Sequence, residues 1–133
     1  MKATTKVMMM VAFAAGLFGI YDALAQRDYD AKTVTTIEGK VLSIEKTTPA
    51  KRRGYWIDLM LQTGNEVIAV QLGPAWYIDK QTPRIVANDT IRVTGSRVTM
   101  DGRPVIVAAD VTKANELLKL RENNGIPIWS LRN

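Results

Sequence analysis

The chain of 133 residues contains no cysteine and no histidine. That excludes a Ser-His-Asp triad, a thiolate nucleophile, a disulfide staple and a zinc site of the usual nitrogen-and-sulfur kind. Serine is thin: Ser43, Ser96 and Ser130 are all there is, and none sits in a Gly-x-Ser-x-Gly elbow. No phosphate-cradling loop occurs, since Gly73 is followed by neither further glycines nor a lysine. The carboxylates fall singly, with Asp28 and Asp30 the nearest pair, and no calcium-loop spacing exists. Only a carboxylate pair assembled by the fold stays open for acid–base work. Of the six methionines, four lie in the first ten residues, which leaves Met60 and Met100 as strand residues and no copper site. The expectation is a non-enzyme with no cofactor.

One long apolar run is present, at the front. Lys2 and Lys6 precede a stretch of roughly 14 apolar residues over 7–20, the length of a signal-peptide core. Ala23-Leu24-Ala25 then places small residues where a signal peptidase cuts, so cleavage is expected after Ala25. A bilayer span needs about 20 residues, and an uncleaved anchor is the alternative. No cysteine follows the run, which excludes a lipoprotein, and no arginine pair precedes it, which favours the general secretory route. Residues 1–25 are thus read as a cleavable signal and the mature domain as periplasmic or secreted, with no transmembrane segment after cleavage.

Residues 26–133 carry 16 basic and 12 acidic side chains, a net charge of +4. A chain of this size forms one domain and can bury a core without staples. The mild positive charge suits an acidic partner or an anionic surface and is too small to mark a nucleic-acid binder.

Residues 26–33 read as a flexible leader and 34–130 as the domain. Residues 33–46 are rich in β-branched side chains around Gly39, a glycine of the kind that marks a bulge or bend. Residues 47–54 form a polar loop with Pro49 and Lys51-Arg52-Arg53. In residues 55–61, Tyr55, Ile57, Leu59 and Leu61 alternate onto one face and Asp58 onto the other. Thr63-Gly64-Asn65 turns into a strand over 66–72. Gly73-Pro74 opens one short helix or a pair of helical turns over 75–81, stopped by Pro83. Residues 90–100, kinked at Gly95, and 104–111 form a hairpin around Asp101-Gly102, and a last hairpin joins 116–121 to 126–129. Three strands, a short helix and two strands predict an all-β protein: a small five-stranded OB-like Greek-key barrel with a C-terminal hairpin. Another small curled barrel or sandwich is the alternative.

Leu72-Gly73-Pro74-Ala75-Trp76-Tyr77, Val93-Thr94-Gly95-Ser96-Arg97-Val98, Asp101-Gly102-Arg103-Pro104 and the ending Leu120-Arg121-Glu122-Asn123-Asn124-Gly125-Ile126-Pro127-Ile128-Trp129 resemble the exported bacterial domain family named for the magnetosome proteins MamS and MamX. The resemblance covers about residues 35–130. It implies an exported β-barrel and, in magnetosome-forming bacteria, a link to iron-mineral growth and redox control. The haem-carrying relatives use Cys-x-x-Cys-His sites, which this chain lacks, so haem is not carried over. A weaker similarity is to the periplasmic OB-fold stress-protein family.

In an OB-like barrel the loops between strands one and two and between strands four and five flank the ligand face. Here they hold Lys51, Arg52 and Arg53, followed by Tyr55 and Trp56, and Arg103. Cations beside aromatics suit an acidic protein surface or an anionic envelope surface; they also suit an oligonucleotide, for which export leaves little opportunity. A solvated loop with one aromatic in the core is the plain alternative. Trp76, Tyr77 and Trp129 are either aromatic plugs in the barrel or anchors for a partner. The expected function is an accessory binding module, near redox or metal-handling proteins.

Overall fold

Runs of alternating apolar and polar residues become six strands in the described part of the chain. They are β1 (Val34–Thr47), β2 (Trp56–Thr63), β3 (Glu66–Pro74), β4 (Thr90–Met100), β5 (Arg103–Lys113) and β6 (Glu116–Lys119), with one helical turn, α1 (Ala75–Ile78). The structure is a computed structural model and describes residues 29–48 and 54–131. The expected signal peptide and Lys51, Arg52 and Arg53 lie outside the described residues.

The sheet order is β3-β2-β1-β4-β5-β6, and β3 also pairs with β5. That extra pairing, parallel where the others are antiparallel, closes five strands into the predicted OB-like barrel. β1 serves two neighbours: its first half pairs with β4 and its second half with β2, and Lys40 faces both Thr90 and Gln62. Such a strand must bend. A side chain at Gly39 would run into the carbonyl of Gln62, and one at Gly95 into the carbonyl of Val107. Register shifts accompany both bends, between Val41 and Ser43 and between Thr94 and Gly95. The two glycines flagged in the sequence therefore let backbones approach where the sheet curls.

Inward residues, alternating along parts of the strands and continuous from Val105 to Ala109 in β5, fill the barrel. Val41, Leu59, Leu61, Ile68, Val70, Leu72, Ile91, Val93, Ile106 and Val111 are all 0–1% exposed. Each such side chain contributes about 1.5–3 kcal/mol of apolar burial, which allows a domain of this size to dispense with disulfides.

Of the two forms expected over 75–81 the structure has the helical turns, and two other local expectations change. The helix stops after one turn at Ile78, and the next residues form successive turns, with the Lys80 amide donating to Tyr77 and the Gln81 amide to Ile78. Residues 29–33, assigned to a loose leader, are held in place. Asp30 caps a 3-10 turn over Ala31–Thr33, and its amide and the Thr33 hydroxyl both reach the buried Ser96 hydroxyl, at 3.1 and 2.7 Å. The terminal hairpin is reduced to one bridge between Arg121 and Pro127. β6 pairs instead with β5, through a turn in which Ala114 and Asn115 both take positive φ. Alanine seldom adopts that conformation, so nothing in the sequence announced the turn.

Candidate functional site

One end of the barrel gathers most of the aromatic side chains. Trp56 begins β2 opposite Pro74, the last residue of β3, and the Ala75 amide donates to the Tyr55 carbonyl at 2.8 Å. The segment entering β2 and the start of α1 are thus fastened together. From there a chain of ring contacts runs inward. Trp76 meets Tyr77 edge-on at 6.1 Å, Tyr77 lies 5.4 Å from Trp129, and Trp129 meets Trp56 edge-on at 6.0 Å. The buried Arg121 guanidinium stacks 5.0 Å over Trp129 and donates to the Ala108 carbonyl. A side-chain carbon at Gly73 would stand only 2.7 Å from the Trp129 ring. The glycine of Gly-Pro and the tryptophan of the chain ending are therefore two halves of one contact.

Burial sorts the predicted residues. Tyr55 and Trp76 are each 56% exposed, whereas Trp56 and Tyr77 are each 6% exposed. Trp56 is a core residue, a correction to its place on the proposed binding face: β2 starts with two consecutive inward residues, Trp56 and Ile57, because its register against β3 shifts between Ile57 and Asp58. Tyr77, with half-buried Trp129, plugs the barrel end, and its neighbour Trp76 stands out in solvent. The Lys46 ammonium sits 5.8 Å over the Tyr55 ring, within cation–π reach.

Arg103 does not join this group. β5 runs parallel to β3 with Val105 beside Ala69, which sets Arg103 near the beginning of β3, while Tyr55 adjoins its end. The strand between them spans roughly 20 Å at about 3.3 Å per residue. Arg103 and Tyr55, expected on one face, therefore stand near opposite ends of β3.

Two features went unnoticed in the sequence. The first is a carboxylate pair: β1 and β2 place Glu45 opposite Asp58. Asp58 Oδ1 is sealed from solvent with no hydrogen-bond partner. Burial first, and then the neighbouring Glu45, push the Asp58 carboxyl up to about 6. Thirteen residues separate the two in sequence, and no local pattern marks them. The second is a cavity of about 520 Å³ beside Lys46, lined among others by Ile44, Ile57, Leu72, Ile78 and Leu118. Among the described residues there is no cluster of three or more carboxylates suited to a metal ion, and no helix is long and apolar enough to cross a membrane.

With the barrel and its aromatic lock in view, the relatives can be placed. The model of the MamS/MamX magnetosome protein family matches residues 33–118. The chain belongs to that family. The matched stretch runs from the start of β1 into β6 and so takes in the whole closed barrel of this MamS/MamX member, while the Trp129 ending lies beyond it. None of the curated proteins matches the chain.

Proposed function

We propose that this MamS/MamX member is an exported, non-catalytic accessory module that holds a periplasmic protein or an anionic envelope surface against one end of its barrel. The observation that carries the reading is the exposure of Tyr55 and Trp76, fastened to each other's segments and flanked by Lys46. Large aromatics left in solvent on rigid backbone are the side chains that anchor interfaces, because they bury much area with little loss of freedom. In the sequence the Lys51-Arg52-Arg53 run is separated from Tyr55 by Gly54 alone, which supports an acidic partner. A non-catalytic role is supported by the lack of cysteine and histidine and by Ser96, which is fully buried and bonded to Thr33. Family membership favours a partner in metal or redox handling. The oligonucleotide reading is weaker, since Arg103 lies at the far end.

The test compares the mature protein with a Tyr55→Ala/Trp76→Ala variant and a Lys51→Ala/Arg52→Ala/Arg53→Ala variant. Both should keep the wild-type melting temperature and lose capture of the periplasmic partner or sedimentation with anionic vesicles. Lowered melting temperature with capture unchanged refutes the assignment. Tight binding of single-stranded DNA that weakens steeply with salt would favour the oligonucleotide reading instead.

A further inference from the structure

The cavity shares Lys46 with the contact surface just described, and the rest of its lining lies apart from Tyr55 and Trp76. Its volume, about 520 Å³, lies inside the range of about 300–1,000 Å³ usual for small-molecule sites. Ile57, Leu72 and Leu118 on its walls are core residues only 1–5% exposed. Ile44, Ile78 and Ile85 complete an aliphatic lining. No lining residue is aromatic or carries a hydroxyl, so a nucleobase would find no stacking partner and a sugar few hydrogen bonds.

The polar groups stand apart from the aliphatic ones: Lys46, Arg84 and Asp79. Among the described residues neither Lys46 nor Arg84 forms an ion pair. Arg84 Nη1 donates only to the backbone carbonyl of Asp79, at 3.1 Å. Two cations against one carboxylate leave a surplus of one positive charge.

The wall bearing Arg84 and Ile85 is held in place before any ligand arrives. Lys113 Nζ donates to the Arg84 carbonyl at 2.7 Å and pairs with Asp89 at 2.9 Å. The Asp89 carboxylate accepts the Val86 amide at 2.7 Å. The Val41 amide donates to the Asp89 carbonyl, and the Asn88 amide to the Val41 carbonyl, both at 2.8 Å. A wall pinned to β1 and β5 loses little freedom on binding, and that favours affinity.

We infer that this cavity is a binding site for a monomeric amphipathic carboxylate, with its aliphatic chain against Ile44, Ile78 and Ile85 over a floor of Ile57, Leu72 and Leu118, and its head group against Lys46 and Arg84. Free fatty acids are the chemical class. The apolar walls select the chain and the surplus positive charge selects the head. A cationic amphiphile of equal length meets the same walls and is repelled at the polar side.

The experiment titrates the mature protein with decanoate, decanol and decyltrimethylammonium below their micelle concentrations, by calorimetry and amide NMR. Decanoate should bind saturably, one per chain, about tenfold more tightly than decanol, and the cation should not bind. Lys46→Gln and Arg84→Gln should each bring decanoate down towards decanol, with the melting temperature unchanged. Ile85→Phe should fill the cavity and abolish binding; if that variant does not fold, the two charge variants decide. NMR shifts should centre on Ile85 and Leu118. The inference is overturned by an absence of saturable decanoate binding, by equal affinity for the three probes, or by indifference to both charge variants. Binding to anionic vesicles with none to monomeric decanoate overturns it too. Trp76→Ala, which leaves the Tyr55–Lys46 contact in place, should bind decanoate normally while weakening capture at the contact surface, so failure of this site and failure of that surface are distinguishable.

Discussion

Replacing Asp58 with asparagine should stabilise the protein at neutral pH and lose that advantage in acid. The Asp58 carboxyl is raised from an ordinary 3.8 to about 6, by burial first and by Glu45 second. A folded state that holds a proton more tightly than the unfolded chain loses stability as pH rises. The loss begins near the unfolded value, deepens through about pH 6 and levels off above it; the full rise corresponds to about 3 kcal/mol. For a domain of this size that is a melting shift on the order of 10 °C or more. Urea unfolding of wild type and Asp58→Asn from about pH 4 to about pH 8 isolates the effect, because every other titrating group is common to both. The unpartnered amide oxygen of the variant adds a constant offset, so the changing gap between the curves is the quantity to read. It should widen in the variant's favour by about 2–3 kcal/mol across that interval. Glu45→Gln should remove the smaller part of the slope. Parallel curves for wild type and Asp58→Asn would refute the argument, because they would mean that Asp58 ionises in the folded protein as freely as in the unfolded chain.

Two further outcomes follow from packing. Trp129→Ala removes one ring contact each from Trp56, Tyr77 and Arg121 and should cost about 3–5 kcal/mol, with collapse of the near-ultraviolet dichroism; a cost below about 1 kcal/mol would mean the aromatic lock does not support the barrel. Gly95→Ala places a methyl group against the Val107 carbonyl and the Ala108 backbone, and should cost at least about 1–3 kcal/mol in thermal unfolding, unlike an alanine at an open strand position. Unchanged stability would show that β4 and β5 do not approach as closely as the bend requires.

The legible parts of this protein are those that depend on neighbours along the chain. The strand over residues 90–100 was read at both ends, because β-branched alternation and the turn residues at its two ends act locally. The bends at Gly39 and Gly95 were legible because a lone glycine inside a strand pattern has few other uses. The exclusion of thiol and imidazole chemistry needed composition alone. The Ala114-Asn115 turn was hidden by an alanine whose positive φ only the β5–β6 pairing imposes.

The site divides along the same line. Tyr55 and Trp56 are adjacent in sequence and similar in chemistry, yet one is solvent-exposed and the other is core, because the register shift in β2 turns Trp56 inward together with Ile57, against the alternation that groups Tyr55 with Ile57. Arg103 and Tyr55 looked like neighbours on one face until the parallel pairing of β5 with β3 placed them at opposite ends. Glu45 and Asp58, and the cavity between β1, β2 and the loop before β4, exist only through register and closure. Short-range patterning thus determined which segments are strands, where they bend and which chemistries are excluded, since those depend on side-chain type and local backbone freedom. Only the closed barrel decided which cations, carboxylates and aromatics share a surface, because strand register brings together residues that no sequence spacing relates.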